Sequence, residues 1–255
     1  MAMLEIRNLF AGYFGKEVLH GISATAHAGQ ITVVIGPNGC GKSTLLKTIC
    51  GILPAASGRV LLDEQELLVL PQKMLARKVS YLAQNRQTSD ITVERLVLHG
   101  RFPYLSYPRR YRKEDHLIAE KVMEQMQILN LAQAPLSMLS GGQQQKVYIA
   151  MTLAQDTDVI LLDEPTTYLD ISHQLQMIRH ARSLADAGKH VVMVIHDLSL
   201  ALQAADRVVL MRNGTLAVQG TPEDIYISGC MDEIFGVRVS RTRIEDKWHY
   251  FCMGK

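Results

Sequence analysis

Short apolar runs that stop abruptly at glycine or polar residues recur along this chain. "ITVVIG" (31–36), "VILLDE" (159–164) and "VVMVIHD" (191–197) are rich in branched residues and do not alternate with polar ones. That pattern predicts strands buried on both faces of a parallel sheet. "VSYLAQ" (79–84) stops in the same way and is a further strand candidate. Between the runs the period changes. Residues 114–130 place Leu117, Ile118, Val122, Met126 and Leu129 on one helical face. Residues 171–187 do so with Ile171, Leu175, Ile178 and Leu184, and Gly188 supplies the stop. Strand–helix alternation predicts an α/β fold. From about 90 to 157 only helical periodicity and loops are found, which predicts a helical lobe inserted in the α/β core. The tail from about 226 carries "VRVSRTRI" and "WHYFCM", read as a small edge hairpin.

Composition narrows the picture in three ways. With 47% hydrophobic residues among 255, the chain can bury a substantial core. A net charge of +2 lacks the strong basic excess of a dedicated nucleic-acid binder. The four cysteines, Cys40, Cys50, Cys230 and Cys252, form no CxxC pair or zinc spacing and read as reduced thiols. The N-terminus has no basic-then-apolar signal pattern, and the apolar runs fall far short of the roughly 20 residues that span a bilayer.

The chemistry begins at "GPNGCGKST", residues 36–44. Gly36, Gly41, Lys42 and Ser43 fit the spacing of a phosphate-binding loop, set between a predicted strand and a helix from about 43 to 50. Its glycines let consecutive N–H groups point at phosphate oxygens, and the helix adds its positive end. Lys42 is placed to reach the β- and γ-phosphates and Ser43 to ligate Mg²⁺. Asp163 and Glu164 end a predicted buried strand, where ligands of open α/β sheets bind. Asp163 is a Mg²⁺ partner and Glu164 a proton acceptor for an attacking water; alone, either could be a structural acid. His196 and Gln84 end strands at the same edge, and Gln84 could bind Mg²⁺ or water. Other histidines, His27, His99, His173 and His180 among them, default to packing or solvent. Cys40, inside the loop, is a candidate for attack by thiol reagents.

A second glycine-rich helix start follows about a hundred residues later in "LSGGQQQ" (139–145). Ser140 and Gln143 form a capping-box pattern, and Val147, Ala150, Met151 and Ala154 continue a helix. A plain helix start is one reading. Two glycines behind the cap weaken a helix, by near 1 kcal/mol each in an interior. They make sense where an anion approaches bare N–H groups, and the first loop already holds its own nucleotide.

The order of these motifs resembles that of the ATP-binding-cassette (ABC) ATPases. Phosphate loop, Gln84, "LSGGQ", "VILLDE", "TTYLD" (166–170) and His196 follow one another over about 13–197. The resemblance implies a P-loop NTPase (RecA-like) core with an N-terminal antiparallel β subdomain and an inserted α-helical subdomain. The core would span about 1–87 and 158–225, the helical subdomain about 88–157 and the tail about 226–255. It implies ATP and Mg²⁺, and a head-to-tail pair of cassettes sandwiching two ATPs. Gly36, Pro37, Asn38, Gly39, Cys40, Gly41, Lys42, Ser43 and Thr44 would bind one ATP. Ser140, Gly141, Gly142, Gln143 and Asp170 would complete the site of the opposite chain. Glu164, His196, Lys42 and Gln84 would carry catalysis, and Ser43, Gln84 and Asp163 the metal. Tyr13 would stack on adenine, although alone it reads as edge-strand packing; Asp170 also reads as the N-cap of helix 171–187. "QQQK" (143–146) departs from many members, which have a basic residue after the first glutamine.

"HGRFPY" (99–104) and "PTTYLDISHQLQ" (165–176) are similar to the importers of iron–siderophore complexes, haem and cobalamin. The implied partners are integral-membrane permease subunits and, indirectly, a periplasmic or lipid-anchored binding protein, with the chain at the cytoplasmic face of a bacterial membrane and no nucleic acid. Another ABC transporter, or a soluble ATP switch, is the alternative. Residues 101–113, "RFPYLSYPRRYRK", hold four aromatics and five basic residues. They read as a nucleic-acid patch, as a solvated loop or, through the family, as part of the permease coupling surface.

Overall fold

The computed structural model describes residues 2–84, 90–167 and 169–254. The chain opens with β1 (Met3–Tyr13), β2 (Lys16–His27), β3 (Ile31–Ile35), α1 (Lys42–Ile49), β4 (Ala55–Leu62), β5 (Gln65–Glu66), α2 (Gln72–Leu75) and β6 (Val79–Leu82). Helices α3 (Val93–His99), α4 (Lys113–Gln125) and α5 (Gly141–Ala154) follow. Next come β7 (Val159–Asp163), α6 (Ile171–Asp186), β8 (His190–Val194), α7 (Leu198–Ala204), β9 (Arg207–Arg212) and β10 (Thr215–Gly220). The tail holds α8 (Pro222–Ser228), α9 (Cys230–Phe235), β11 (Val237–Ile244) and β12 (Lys247–Gly254).

Among the described residues a six-stranded sheet runs in the order β10-β9-β3-β8-β7-β6. All neighbours are parallel except β9 and β10. Every residue of β3, β7 and β8 is buried, which explains their unbroken apolar runs. β3 feeds two apolar cores at once. Ile31, Val33 and Ile35 join the cluster with α3–α6. Val34 joins the cluster beneath the antiparallel sheet β2-β1-β4-β5. The α/β core with an antiparallel β layer is therefore present as the resemblance implied, and the described residues between 92 and 158 carry α3–α5 with short 3-10 turns.

Three local expectations are corrected. The helix predicted over 114–130 ends at Gln125, because Gln127 turns left-handed with φ 56°; Leu117 faces solvent, Val122 and Met126 are buried as predicted, and Asp115, Ala119 and Met123 are buried besides. In α6, Ile171 and Leu175 are exposed, while Met177, Ala181 and Ala185 face the core. Two alanines four residues apart let this helix lie close on the sheet. The tail hairpin β11–β12 is a two-stranded sheet of its own packed on α7, not an edge of the large sheet.

Residues 101–113 are largely committed within the molecule. The Arg101 guanidinium lies 3.8 Å from the Tyr104 ring centre, and its Nε donates to Asp115 at 3.1 Å. Arg109 stacks on Phe102 at 5.0 Å, and Tyr111 meets His116 edge-on at 6.3 Å. Tyr107 stands free in solvent. Arg77, just after α2, and Lys73 within it donate to the carbonyls of Pro103 and Leu105 at 3.0 and 2.5 Å. The stretch is a clamp between α2 and the helical segment.

Arg101 and Asp115 are both below one-tenth exposed, so removing one charge strands the other. Asp115→Ala should cost about 3–5 kcal/mol in urea unfolding. Replacing both partners by apolar residues of matching size should recover most of that loss. A single substitution costing less than about 1 kcal/mol would refute the clamp.

Candidate active site

Parallel pairing sends the carboxyl ends of β3, β8, β7 and β6 to one sheet edge. There the chain places the loop 36–41 after β3, Glu164 after β7, His196 after β8 and Gln84 after β6. An open cleft of about 380 Å³ at this edge is lined by Asn38, Gly39, Gly41, Lys42, Ser43, Thr44, Gln84, Glu164 and His196. Val18 of β2 completes the lining, a residue that no motif in the sequence marks.

Gly41 precedes α1 with φ 103°, a conformation that a residue with a Cβ resists. It aims the α1 N-terminus at the cleft. Lys42 is buried, and its Nζ donates to the carbonyls of Gly36 and Pro37 at 2.8 and 3.0 Å. Ser43 Oγ donates to Asp163 Oδ1 at 3.0 Å, and Tyr81 Oη donates to Asp163 Oδ2 at 2.9 Å. Burial, and then the Asp163 charge, push the Tyr81 hydroxyl well above its ordinary range, so it stays a donor. Tyr81 was not singled out in the sequence. The available signal is its place three residues before Gln84 on a strand that pairs with β7.

Glu164 is gripped from three directions. Its Oε2 accepts from Gln84 Nε2 and from Thr167 Oγ1, the latter at 3.2 Å. His196 Nε2 meets Oε1. The Glu164 backbone is left-handed, φ 52°, a strained state for a residue with a side chain. A carboxylate so held beside a phosphate loop can take a proton from water.

Tyr13 ends β1, opposite Lys16 and partly exposed, and lies outside the cleft lining. Nor do Ser140, Gly141, Gly142, Gln143 and Asp170 line it. They gather elsewhere, at the N-termini of α5 and α6. Ser140 Oγ accepts from Gln143 N at 3.4 Å and Gln143 Oε1 accepts from Ser140 N at 3.0 Å, closing the capping box. Asp170 caps α6 by accepting from His173 N at 2.9 Å. Gln144 Nε2 donates to the carbonyls of Leu136 and Leu139, both at 3.1 Å, and Gln145 Nε2 to Pro165 O at 2.6 Å. Tyr168 and residues 85–89 lie outside the described residues.

The family model described as ABC transporter matches residues 19–167. The chain belongs to the ABC transporter family. The ferric enterobactin transport ATP-binding protein FepC of Escherichia coli is 40% identical to this cassette, covering 93% of it and 89% of FepC. The iron(3+)-hydroxamate import ATP-binding protein FhuC of Bacillus subtilis is 36% identical, covering 93% of the cassette and 89% of FhuC. The solved structure of a nucleotide-free ATP-binding cassette from an ABC transporter superposes with a TM-score of 0.83 at 25% identity, over 92% of this chain and 98% of that one. The cassette binds nucleotide and is an ATPase. Among its described residues, no helix is long and apolar enough to cross a membrane.

The thiols behave differently from the sequence expectation. Cys40 is buried against the loop, and burial raises its pKa; burial raises that of Cys50 to about 11. Both lie out of solvent. Burial raises the Cys252 thiol too, so exposure decides: at neutral pH a maleimide should label the exposed Cys252 before the buried Cys40 and Cys50, which stay unreacted until the chain unfolds. Peptide mapping that finds rapid Cys40 labelling in the folded cassette would contradict this.

Proposed function

We propose that this cassette is the ATP-hydrolysing subunit that powers a membrane importer of iron–siderophore-type chelates. The observation that carries the mechanism is the separation of two phosphate-directed helix starts. The α1 N-terminus opens on the cleft, while the Ser140 corner faces elsewhere on the same chain. Exposed Met138 and Ile171 stand within two residues of that corner, an apolar rim suited to burial against a second copy. Two cassettes pair head to tail. Tyr13 and residues 36–44 of one chain hold ATP, and Ser140, Gly141, Gly142, Gln143 and Asp170 of the other complete the site.

Asp163 is buried, shares a hydrogen bond with Ser43 and offers a hard oxygen set, so these residues fit Mg²⁺. Ser43, Asp163 and Gln84 would hold the ion. When bound, Mg²⁺ neutralises charge on the β- and γ-phosphates. Lys42 binds the same phosphates. Glu164 accepts the proton of the attacking water, and His196, whose ring lies on Glu164, orients that carboxylate and steadies the γ-phosphate. Closure draws the helical subdomain, about 88–157, against the opposite core, and the segment after Gln84 passes the motion to the permease.

The reading of cargo and partner rests on relatives named for ferric enterobactin transport and iron(3+)-hydroxamate import. A groove of about 710 Å³ lined by Gly51, Leu53, Leu68, Val69, Gln72 and Leu75, with Ile52 and Met74 exposed beside it, supports a permease seat. The cassette then works at the cytoplasmic face of the membrane, served by a binding protein on the other side.

Glu164→Gln should lower ATP turnover by at least about 100-fold while retaining ATP binding. Sedimentation should then find ATP-dependent dimers. Normal turnover would remove Glu164 as the base. The tagged cassette, extracted gently from native membranes, should carry a polytopic permease with it. Recovery of soluble partners only, under conditions that preserve a known transporter, would overturn the importer.

A further inference from the structure

The two glycines behind Ser140 have unlike surroundings. A Cβ built on Gly141 meets nothing within 4 Å. One built on Gly142 falls 2.8 Å from His173 Nε2 and 2.9 Å from its Cδ2. The imidazole of α6 thus fills the place of the side chain that residue 142 lacks. Gly141 is bare toward the outside, and Gly142 is bare toward its own chain.

His173 is held in that place by Asp170. Asp170 Oδ1 faces both the His173 backbone N–H and ring Nδ1, at 2.9 and 2.8 Å, and accepts from Ser172 Oγ at 2.8 Å. The His173 amide, the Ser172 hydroxyl and the His173 ring hold the Asp170 carboxyl down to about 2. It is therefore an acceptor at neutral pH, and Nδ1 carries the proton. The ring orientation is fixed, with Nε2 against Gly142. α6 packs on the central sheet at β3 and β8, whereas α5 packs mainly on α3 and α4 and touches that sheet at its β6 edge. One imidazole joins the start of α5 to the start of α6. Further along this seam His180 Nε2 has no partner, and the space lined by Gly142, Lys146, His173 and His180 is only about 10 Å³.

We propose that His173 is a positioning residue for phosphate recognition across the cassette pair. Its ring, locked by Asp170, sets the α5 N-terminus against α6. Ser140 and Gly141 then meet the γ-phosphate of the opposite chain as one unit, while Asp170 stays engaged with Ser172 and His173. The inference rests on the head-to-tail reading above. His173 itself does not touch the nucleotide. Its part is geometric, and a displacement of about 1 Å in such a group can cost about 100-fold in rate.

The test uses His173→Ala and His173→Gln, each alone and with Glu164→Gln. Gln retains an amide that can donate to Asp170. His173→Ala should leave the Kd of the single chain for ATP within about twofold, since its cleft is remote from the substitution, and lower kcat by about 10- to 100-fold. With Glu164→Gln it should raise the ATP concentration needed for pairing, and His173→Gln should restore most of both losses. Unchanged kcat in His173→Ala overturns the proposal. So does equal loss in both variants accompanied by a lowered Tm, the mark of a purely structural contact. If Glu164→Gln alone never pairs with ATP, the head-to-tail reading has failed and this inference falls with it. If Glu164→Gln pairs and its His173→Ala form pairs equally well, only the role of His173 is lost.

Discussion

Parallel pairing of strands buried on both faces is the constraint on which the active site depends. Such strands leave little room for polar side chains, so β3, β7 and β8 are apolar along most of their length, with Thr32, Asp163 and His190 as buried exceptions. Polar chemistry can begin only where each strand stops. Because β3, β8, β7 and β6 run the same way, all four stop at one edge. The loop of Lys42, and then His196, Glu164 and Gln84, meet there without any long-range design beyond the sheet itself.

That same constraint explains what the sequence made legible. Site residues that directly follow an apolar run could be read because the run predicts the strand and the strand predicts the edge. Asp163, Glu164, His196 and Gln84 are of this kind, whereas Lys42 and Ser43 are legible from the spacing of the glycine-rich loop after β3. Tyr81 lies inside a strand, and Thr167 and Val18 lie away from a run's end, so nothing in the pattern points to them. Helix faces were read less well. Ile171 and Leu175 have the right period for burial, but α6 turns its alanines to the sheet and leaves them outside. Period gives a stripe; only packing decides which stripe is used. His173 was set aside as one histidine among several, because its partner Gly142 is distant in sequence and offers no side chain to notice.

Glu164 shows how the edge is made rigid. A residue with a Cβ at φ 52° is held in a costly conformation, on the order of 1–3 kcal/mol. It persists when surrounding groups over-determine it. Here Gln84 comes from the end of β6, His196 from the end of β8 and Thr167 from the turn that follows Glu164. Three segments fix one carboxylate. Gln84 thus ties the end of β6 directly to the carboxylate.

The opposite problem arises at the start of α5. Two glycines make a weak helix start, near 1 kcal/mol each in an interior position. Polar groups around it restore order without adding bulk. Ser140 and Gln143 cap each other, Gln144 satisfies two loop carbonyls, and Gln145 reaches the carbonyl after Glu164. Gln143, Gln144 and Gln145, ahead of Lys146 in the run that departs from many members' pattern, are thus three neutral side chains with three separate attachments. A cation in their place would add charge beside the bare amides, whereas amide side chains leave the positive end of the helix to Gly141. Order is supplied from the sides and from beneath, and the face at Gly141 stays open. This explains why the glycines occur as a pair. One keeps that face clear, and the other lets the ring of His173 support it.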